Sequence, residues 1–576
     1  MRGVSKKVML EVLAASPAEK KVSPSHESLR DLLFASAAAG AALLLFGFLF
    51  NRATVLSYSI GYNLYGAERV LAGEVPYRDF HTLYPPATLY LNAALFKLMG
   101  STLYTAMFGV FVFKVMTILM IYLSGRKIVP ASWALRAALL SLFWLRPNGA
   151  FKAVPMQYGA LFLALALFFL LDREGRQTRL KAFLAGVALG LLTLFKHNIG
   201  AYAFIGCLAI AFLERNRLKP EESKVGEAPR WFLAMVCGLA SVIVPVLVFM
   251  GSQGALGMMM RTLVVGSGEF LVDRLVIPGS PAVPIVFTVA LVVSAFMAHR
   301  LRSRPAGAAV VWMSVIVAIS AFTLRANEYA INKLIFYLPV AILIVAVFAA
   351  LSNKRFAVID WRALFTVLVF AAAALVELFP RFAREQSIAA IPFVILVLVH
   401  MLFLASPALR KFTGGKLQAR LAMAVLPVVF LLIGARLLFT TYFDGLRFTS
   451  DTELTVERGR GVYFPREVAE QIDRIVVYVQ QRVPADGYVF AQSNGGSPYF
   501  FLAGRKNPST AQFWGGVGVS PAERAATLEE IDRKQVNLII TSDEVMTNEK
   551  YEPLKDYINR TFKTATHFGD VLILER

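Results

Sequence analysis

The chain has 576 residues, 57% of them hydrophobic and only 17% charged, where a soluble protein carries about a quarter charged residues. Its mean hydropathy of +0.60 excludes an ordinary soluble enzyme. The net charge of +21 does not point to nucleic acid, because Lys and Arg gather in short segments between apolar blocks. That is the positive-inside signature of a membrane protein, and the same charges favour anionic lipid headgroups.

Residues 1–30 are polar and carry Lys6, Lys7, Lys20, Lys21 and Arg30. They lack the apolar core and cleavage site of a removable signal peptide. They read as a cytoplasmic tail, with the first span as an uncleaved anchor. Apolar blocks follow near 31–50, 101–123, 132–145, 157–171, 181–195, 199–213, 231–250, 282–298, 308–324, 333–350, 363–379, 388–405 and 421–440. Their length suits helices crossing a hydrocarbon core, which takes roughly 20 residues, so the expected fold is a polytopic α-helical membrane bundle of about 13 spans. Cys207 and Cys237 fall inside such blocks, which argues against a disulfide framework or a zinc site.

Threading from a cytoplasmic N-terminus puts basic loops inside: Arg126 and Lys127; Arg173 to Lys181; Arg215 to Arg230; Arg300 to Arg304; Lys354 to Arg362; and Arg410 to Arg420. This bias fixes orientation. It leaves loop 51–100 and everything after about residue 445 on the extracytoplasmic side. Segment 255–276 is apolar with sparse charges and is expected to lie as an amphipathic helix in the interface plane. Residues 31–444 are thus the membrane bundle, and 445–576 form a separate soluble part.

In that part, 466–482 alternates as an amphipathic helix. Tyr488–Gln492, Val536–Thr541 and Val571–Leu574 read as strands, and Pro521–Lys534 and Tyr551–Phe562 as helices. Helices interleaved with β-branched strands indicate a small α/β domain.

The chemistry-bearing residues cluster in the loops of the outer face. Loop 51–100 holds Glu68, Arg69, Glu74, Arg78, Asp79 and His81 between two apolar segments. Asp79, between a Gly73–Pro76 turn and Tyr84-Pro85-Pro86, is placed to act as a general base, taking the proton of an attacking hydroxyl. Its plainer role is an acid paired with Arg78 or capping the next helix. Glu68 fits an exposed helical face, and His81 could assist.

Lys196, His197 and Asn198 follow a small-residue helix containing Gly186 and Gly190, which can pack closely against neighbours. Lys196 there either snorkels to headgroups or meets a lipid-linked phosphate. Arg325 and Arg381 stand where helices leave the membrane. Arg grips phosphate through a bidentate fork, although interfacial anchoring is common. Leu324–Pro339 and Pro380–Pro392 share a loose Arg…Glu…Pro pattern. Arg505, in the Tyr499–Pro508 stretch, is either a lid contact or part of a structural turn. A P-loop, a dinucleotide fingerprint and a metal-ligand cluster are all missing from the sequence, so it calls for no cofactor.

The series Gly61, Tyr62, Ala67, Leu71, Gly73, Pro76, Tyr77, Asp79, Phe80, Tyr84, Pro85, Pro86, Phe96 and Gly100 resembles the first external loop of bacterial GT-C-fold membrane glycosyltransferases. The family-39-like group is the nearest in pattern: protein mannosyltransferases, aminoarabinose transferases and lipopolysaccharide-core galacturonosyltransferases. Gly186, Gly190, Lys196 and Gly200, then Phe379-Pro380-Arg381 with Pro392, then Tyr499–Pro508 are similar to further segments of that group. The resemblance implies inverting transfer of a sugar from a polyprenyl-phosphate donor to a hydroxyl of a lipid, glycan or protein, on the extracytoplasmic face. It implies Asp79 as base and Lys196 and Arg381 as phosphate contacts, with His197, Arg325, Glu68, His81 and Arg505 as further substrate-binding candidates. Many relatives carry an acid just before the Gly-Tyr pair, where this chain has Tyr58, Ser59 and Ile60. Ala383 and Gln386 stand where relatives often have Asp and His. Two rival readings are a lipid transporter, which would place ionisable residues at mid-membrane, and a non-catalytic binder of lipid-linked glycan.

Overall fold

The computed structural model describes residues 24–442 and 451–576, apart from 55, 57, 146–150, 172–177, 218–229, 266–279, 352–360, 379–383, 493–496, 512–513, 515–518 and 549–550. The tail before residue 24 and Arg381 therefore lie outside the described residues. So do much of the second Arg…Glu…Pro segment and the C-terminal half of segment 255–276.

Every expected apolar block lies on a helix. They are α1 (Pro24–Leu49), α4 (Leu103–Ile128), α5 (Ala131–Leu142), α6 (Pro155–Leu170), α7 (Arg179–Phe195), α8 (His197–Arg217), α9 (Arg230–Ser252), α10 (Ala282–Arg300), α11 (Pro305–Arg325), α12 (Glu328–Leu351), α13 (Trp361–Leu375), α14 (Arg384–Thr413) and α15 (Lys416–Tyr442). Among the described residues, nine are long and apolar enough to cross a membrane. The expected count of thirteen is thus not met by length, because α5, α6, α7 and α13 are shorter. The described ends of the connection after α5 are buried rather than surface-borne. Trp144, Leu145, Phe151 and Ala153 are at most 2% exposed, Lys114 Nζ donates to Leu145 O at 2.6 Å, and Trp144 Nε1 donates to Phe430 O at 3.0 Å. These bonds satisfy backbone carbonyls that have no water to turn to.

Small residues set the closest helix pair. A Cβ on Gly186 of α7 would strike the Met235 carbonyl of α9, and one on Gly238 of α9 would strike the Phe183 carbonyl of α7. With backbone on the far side, neither clash relaxes by a rotamer change. We expect Gly186→Val to cost at least about 1–3 kcal/mol through overpacking, seen as loss of the monodisperse peak in size-exclusion chromatography.

Loop 51–100 is itself largely helical: α2 (Tyr58–Leu71) and α3 (Ala87–Met99) form a packed pair joined by 72–86. The C-terminal part contains β1 (Asp451–Glu453), β2 (Tyr463–Pro465), α16 (Arg466–Arg482), β3 (Phe490–Ala491), α17 (Ser497–Ala503), α18 (Pro521–Arg533), β4 (Leu538–Ser542), α19 (Glu552–Thr561), β5 (Lys563–Phe568) and β6 (Val571–Glu575). Helix 466–482 has the bounds its periodicity predicts. A four-stranded sheet runs β3-β4-β6-β5, parallel only between β3 and β4. Strands β1, β2 and β5 were not legible as strands, being short or, for β5, exposed and polar.

This α/β part docks on α2 and α3. Arg52 pairs with Asp451 at 2.8 Å, Ala53 N donates to Tyr463 O at 2.8 Å, and Asn507 N donates to Tyr65 Oη at 2.7 Å. The Phe96 and Phe501 rings stack at 5.9 Å. Loop and C-terminal domain share one apolar core with the bundle.

Candidate active site

The segment 72–86 is built around Arg69 at the end of α2. Its Nε donates to Glu74 at 2.5 Å and its Nη2 to Asp79 O at 2.9 Å. Its guanidinium also lies 4.6 Å from the centre of the Phe80 ring. Tyr77 has φ 68, a left-handed conformation costly for an aromatic residue. It is held there by burial and by Tyr77 Oη donating to Tyr84 O at 2.6 Å.

Asp79 Oδ2 accepts from Val75 N at 2.6 Å and from Arg78 Nη2 at 2.7 Å, and Oδ1 accepts from Arg78 Nε at 2.9 Å. The Arg78 guanidinium holds the carboxyl below the usual carboxylate range, so Asp79 is ionised at neutral pH. The ion pair with Arg78 is the plainer of the two roles its sequence allowed. It does not preclude the other, because both side chains are partly exposed, at 30% and 41%.

Glu68 pairs with Arg458 of the C-terminal domain at 2.6 Å. Burial pushes its carboxyl up to about 7, with Arg458 pulling the other way. A carboxyl raised above its ordinary 4.5 contributes stability that is fully present at low pH and lost as pH rises through about 7. We expect the thermal midpoint of the purified protein to fall between about pH 5 and pH 8, and Glu68→Gln to flatten that fall.

Arg505 likewise serves structure. Its Nε donates to Val483 O at 2.8 Å and Nη1 to Ala503 O at 2.7 Å, closing the turn after α17 rather than forming a lid. His81 N donates to Thr510 O at 3.0 Å, which ties loop 72–86 to the C-terminal domain. Arg325 is exposed at the end of α11.

Lys196 lies at the C-cap of α7. Its Nζ is 3.1 Å from Glu377 Oε1 and 4.7 Å from the centre of the Tyr84 ring. Loop 72–86, the α7–α8 junction and the end of α13 therefore meet at one point. His197 opens α8 beside it, and the segment bearing Arg381 begins two residues after Glu377.

Glu377 escaped the sequence reading, although its signal was present as a carboxylate within an apolar block, which is expensive without a role. Three further residues were missed. Lys333, on α12, is 4% exposed and makes no ion pair among the described residues; it lies 4.1 Å from the centre of the Tyr329 ring. Thr88 Oγ1 and Asn92 Nδ2, on one face of α3, are buried without partners. Asn92 Oδ1 accepts from Tyr158 Oη at 2.7 Å, which leaves its amide donors spare. Thr88 and Asn92 are spaced by four, so α3 presents two polar side chains on one face.

Below this group, an open, wholly apolar groove of ≈ 410 Å³ runs between α12 and α13, lined by Val340, Ile344 and Val347 on one side and Ala372, Leu375 and Val376 on the other. Its α13 wall ends at the residue before Glu377. Lys333 stands seven residues before Val340, on the same face of α12. No group of His, Cys, Asp or Glu suited to a metal ion occurs among the described residues.

The whole architecture is similar to that of ArnT from Cupriavidus metallidurans bound to undecaprenyl phosphate, with TM-score 0.52 and 12% identity over 96% of this chain and 98% of that one. The fold is that of GT-C glycosyltransferases. Residues 84–249 match the family model of the dolichyl-phosphate-mannose-protein mannosyltransferases. The apo oligosaccharyltransferase of Archaeoglobus fulgidus is similar at TM-score 0.48 and 13% identity, over 93% of this chain and 73% of that one. No curated protein sequence matches this chain.

Proposed function

We propose that this chain is an integral-membrane glycosyltransferase that moves a sugar from a polyprenyl-phosphate donor to a hydroxyl acceptor on the extracytoplasmic face, with inversion. The observation that carries this reading is the Lys196–Glu377–Tyr84 group, a buried cation at the head of an apolar groove and beneath a loop that bears a carboxylate. A lipid phosphate has the complementary form, an anion on an apolar chain. The ArnT structure holds such a molecule, and the basic loops 126–127 and 300–304 favour the orientation.

In this mechanism the Asp79 carboxylate takes the proton of the acceptor hydroxyl. The freed oxygen attacks the anomeric carbon as the carbon–oxygen bond to phosphate breaks, and polyprenyl phosphate departs with the electron pair. Lys196, Lys333 and Arg381 stabilise the charge that gathers on the departing phosphate. One base suffices for inversion, since no covalent intermediate forms. Asp79 serves once Arg78 moves to another partner, and Gln253 already accepts from Arg78 Nη1 at 3.1 Å.

A non-catalytic binder of lipid-linked glycan is the second reading, favoured by the hold of Arg78 on Asp79. Incubating the purified protein with radiolabelled undecaprenyl-phosphate sugars and envelope lipids separates the two. Label transferred to an acceptor supports the enzyme, and donor retention without transfer supports the binder.

A further inference from the structure

Lys196 and Glu377 are 14% and 7% exposed, and the Tyr84 ring closes over the ammonium. A phosphate that joined the pair without displacing Glu377 would set a second anion against the Lys196 ammonium, where like charges repel strongly in a low dielectric.

Glu377 sits in a short 3-10 turn, Val376–Leu378, that continues from the end of α13. A residue outside the regular α-helical ladder can swing at lower cost, and 3-10 stretches often mark hinges. The groove between α12 and α13 ends against this turn at Val376. An apolar chain lying there would reach the turn that carries the carboxylate.

We propose that Glu377 is a built-in stand-in for the donor phosphate. It holds the Lys196 ammonium charged and in place while the seat is empty, and yields it when a lipid phosphate arrives. This rests on the assignment of Lys196 to the donor phosphate made above. A carboxylate with a purely structural role gives the opposite sign on removal, since loosening the site weakens binding or leaves it unchanged.

The test uses the purified full chain and undecaprenyl phosphate alone as probe, with radiolabel binding and thermal shift as readouts. Glu377→Gln is expected to bind the lipid about tenfold more tightly than wild type, as one competing anion is gone. Its thermal midpoint is lower without lipid and rises further than that of wild type on lipid addition. Glu377→Asp, which draws the carboxylate back by one methylene, moves the same way by less, and it decides the matter if Glu377→Gln does not yield monodisperse protein. Binding by the variants equal to or weaker than wild type overturns the proposal. If wild type binds no undecaprenyl phosphate, or Lys196→Met binds it equally well, the donor reading itself falls and takes this one with it. If binding depends on Lys196 but neither Glu377 variant tightens it, only the stand-in role falls.

Discussion

Replacing Asp79 with Asn is expected to lower sugar transfer by about 10²–10⁴-fold, the usual contribution of a positioned general base. The change removes the charge but keeps an oxygen able to accept from Val75 N–H, which Asp79 Oδ2 accepts at 2.6 Å. The loop is therefore expected to hold its shape. The lost ion pair with Arg78 is partly solvent-exposed, and pairs in contact with water contribute little. The check is the initial rate with a radiolabelled undecaprenyl-phosphate donor, together with an unchanged thermal midpoint. A companion change sharpens the assignment. Arg78 is what holds Asp79 below the usual carboxylate range, so Arg78→Gln should move the acidic limb of the pH–rate profile upward. A rate near wild type for Asp79→Asn removes Asp79 from the mechanism and leaves Glu377 as the carboxylate beside Lys196.

The second large effect is expected from Lys196→Met. It removes the cation assigned to the donor phosphate and also breaks the ion pair of Glu377, whose side chain is 7% exposed. Breaking a buried ion pair from one side costs roughly 3–5 kcal/mol, because the remaining charge keeps its desolvation penalty. Stability and transfer should therefore both fall, and a double change separates them. Lys196→Met with Glu377→Leu removes both charges, so stability returns towards wild type while transfer stays absent. If the double variant remains as unstable as Lys196→Met, the coupling between the two residues is not electrostatic.

The bundle was legible because its signals are local. An apolar run near the length of a bilayer crossing has few ways to satisfy its backbone other than as a helix, and every such run became one. Gly186 was readable as a packing position and Lys196 as an unusual helix end, since both stand out against their immediate neighbours. The short helices α5 and α6 were harder, because the chain leaving α5 is held by Lys114 and Trp144 through bonds between residues far apart in the sequence.

What the chain determined by itself is the class of object: apolar helices, basic loops between them, an acid-bearing loop near the start and an α/β part at the end. Hydrophobic periodicity and charge placement are set residue by residue, and no partner is needed to read them. What only the tertiary structure decided is which charges face each other. Glu68 and Arg505 looked available for substrate, but Glu68 is engaged by Arg458 and Arg505 by the carbonyls of Val483 and Ala503. Lys196 acquired Glu377 and Tyr84 from distant parts of the sequence. Side-chain pairing across such separations follows from how helices pack, and a buried ionic group is stable only where that packing supplies its counterpart.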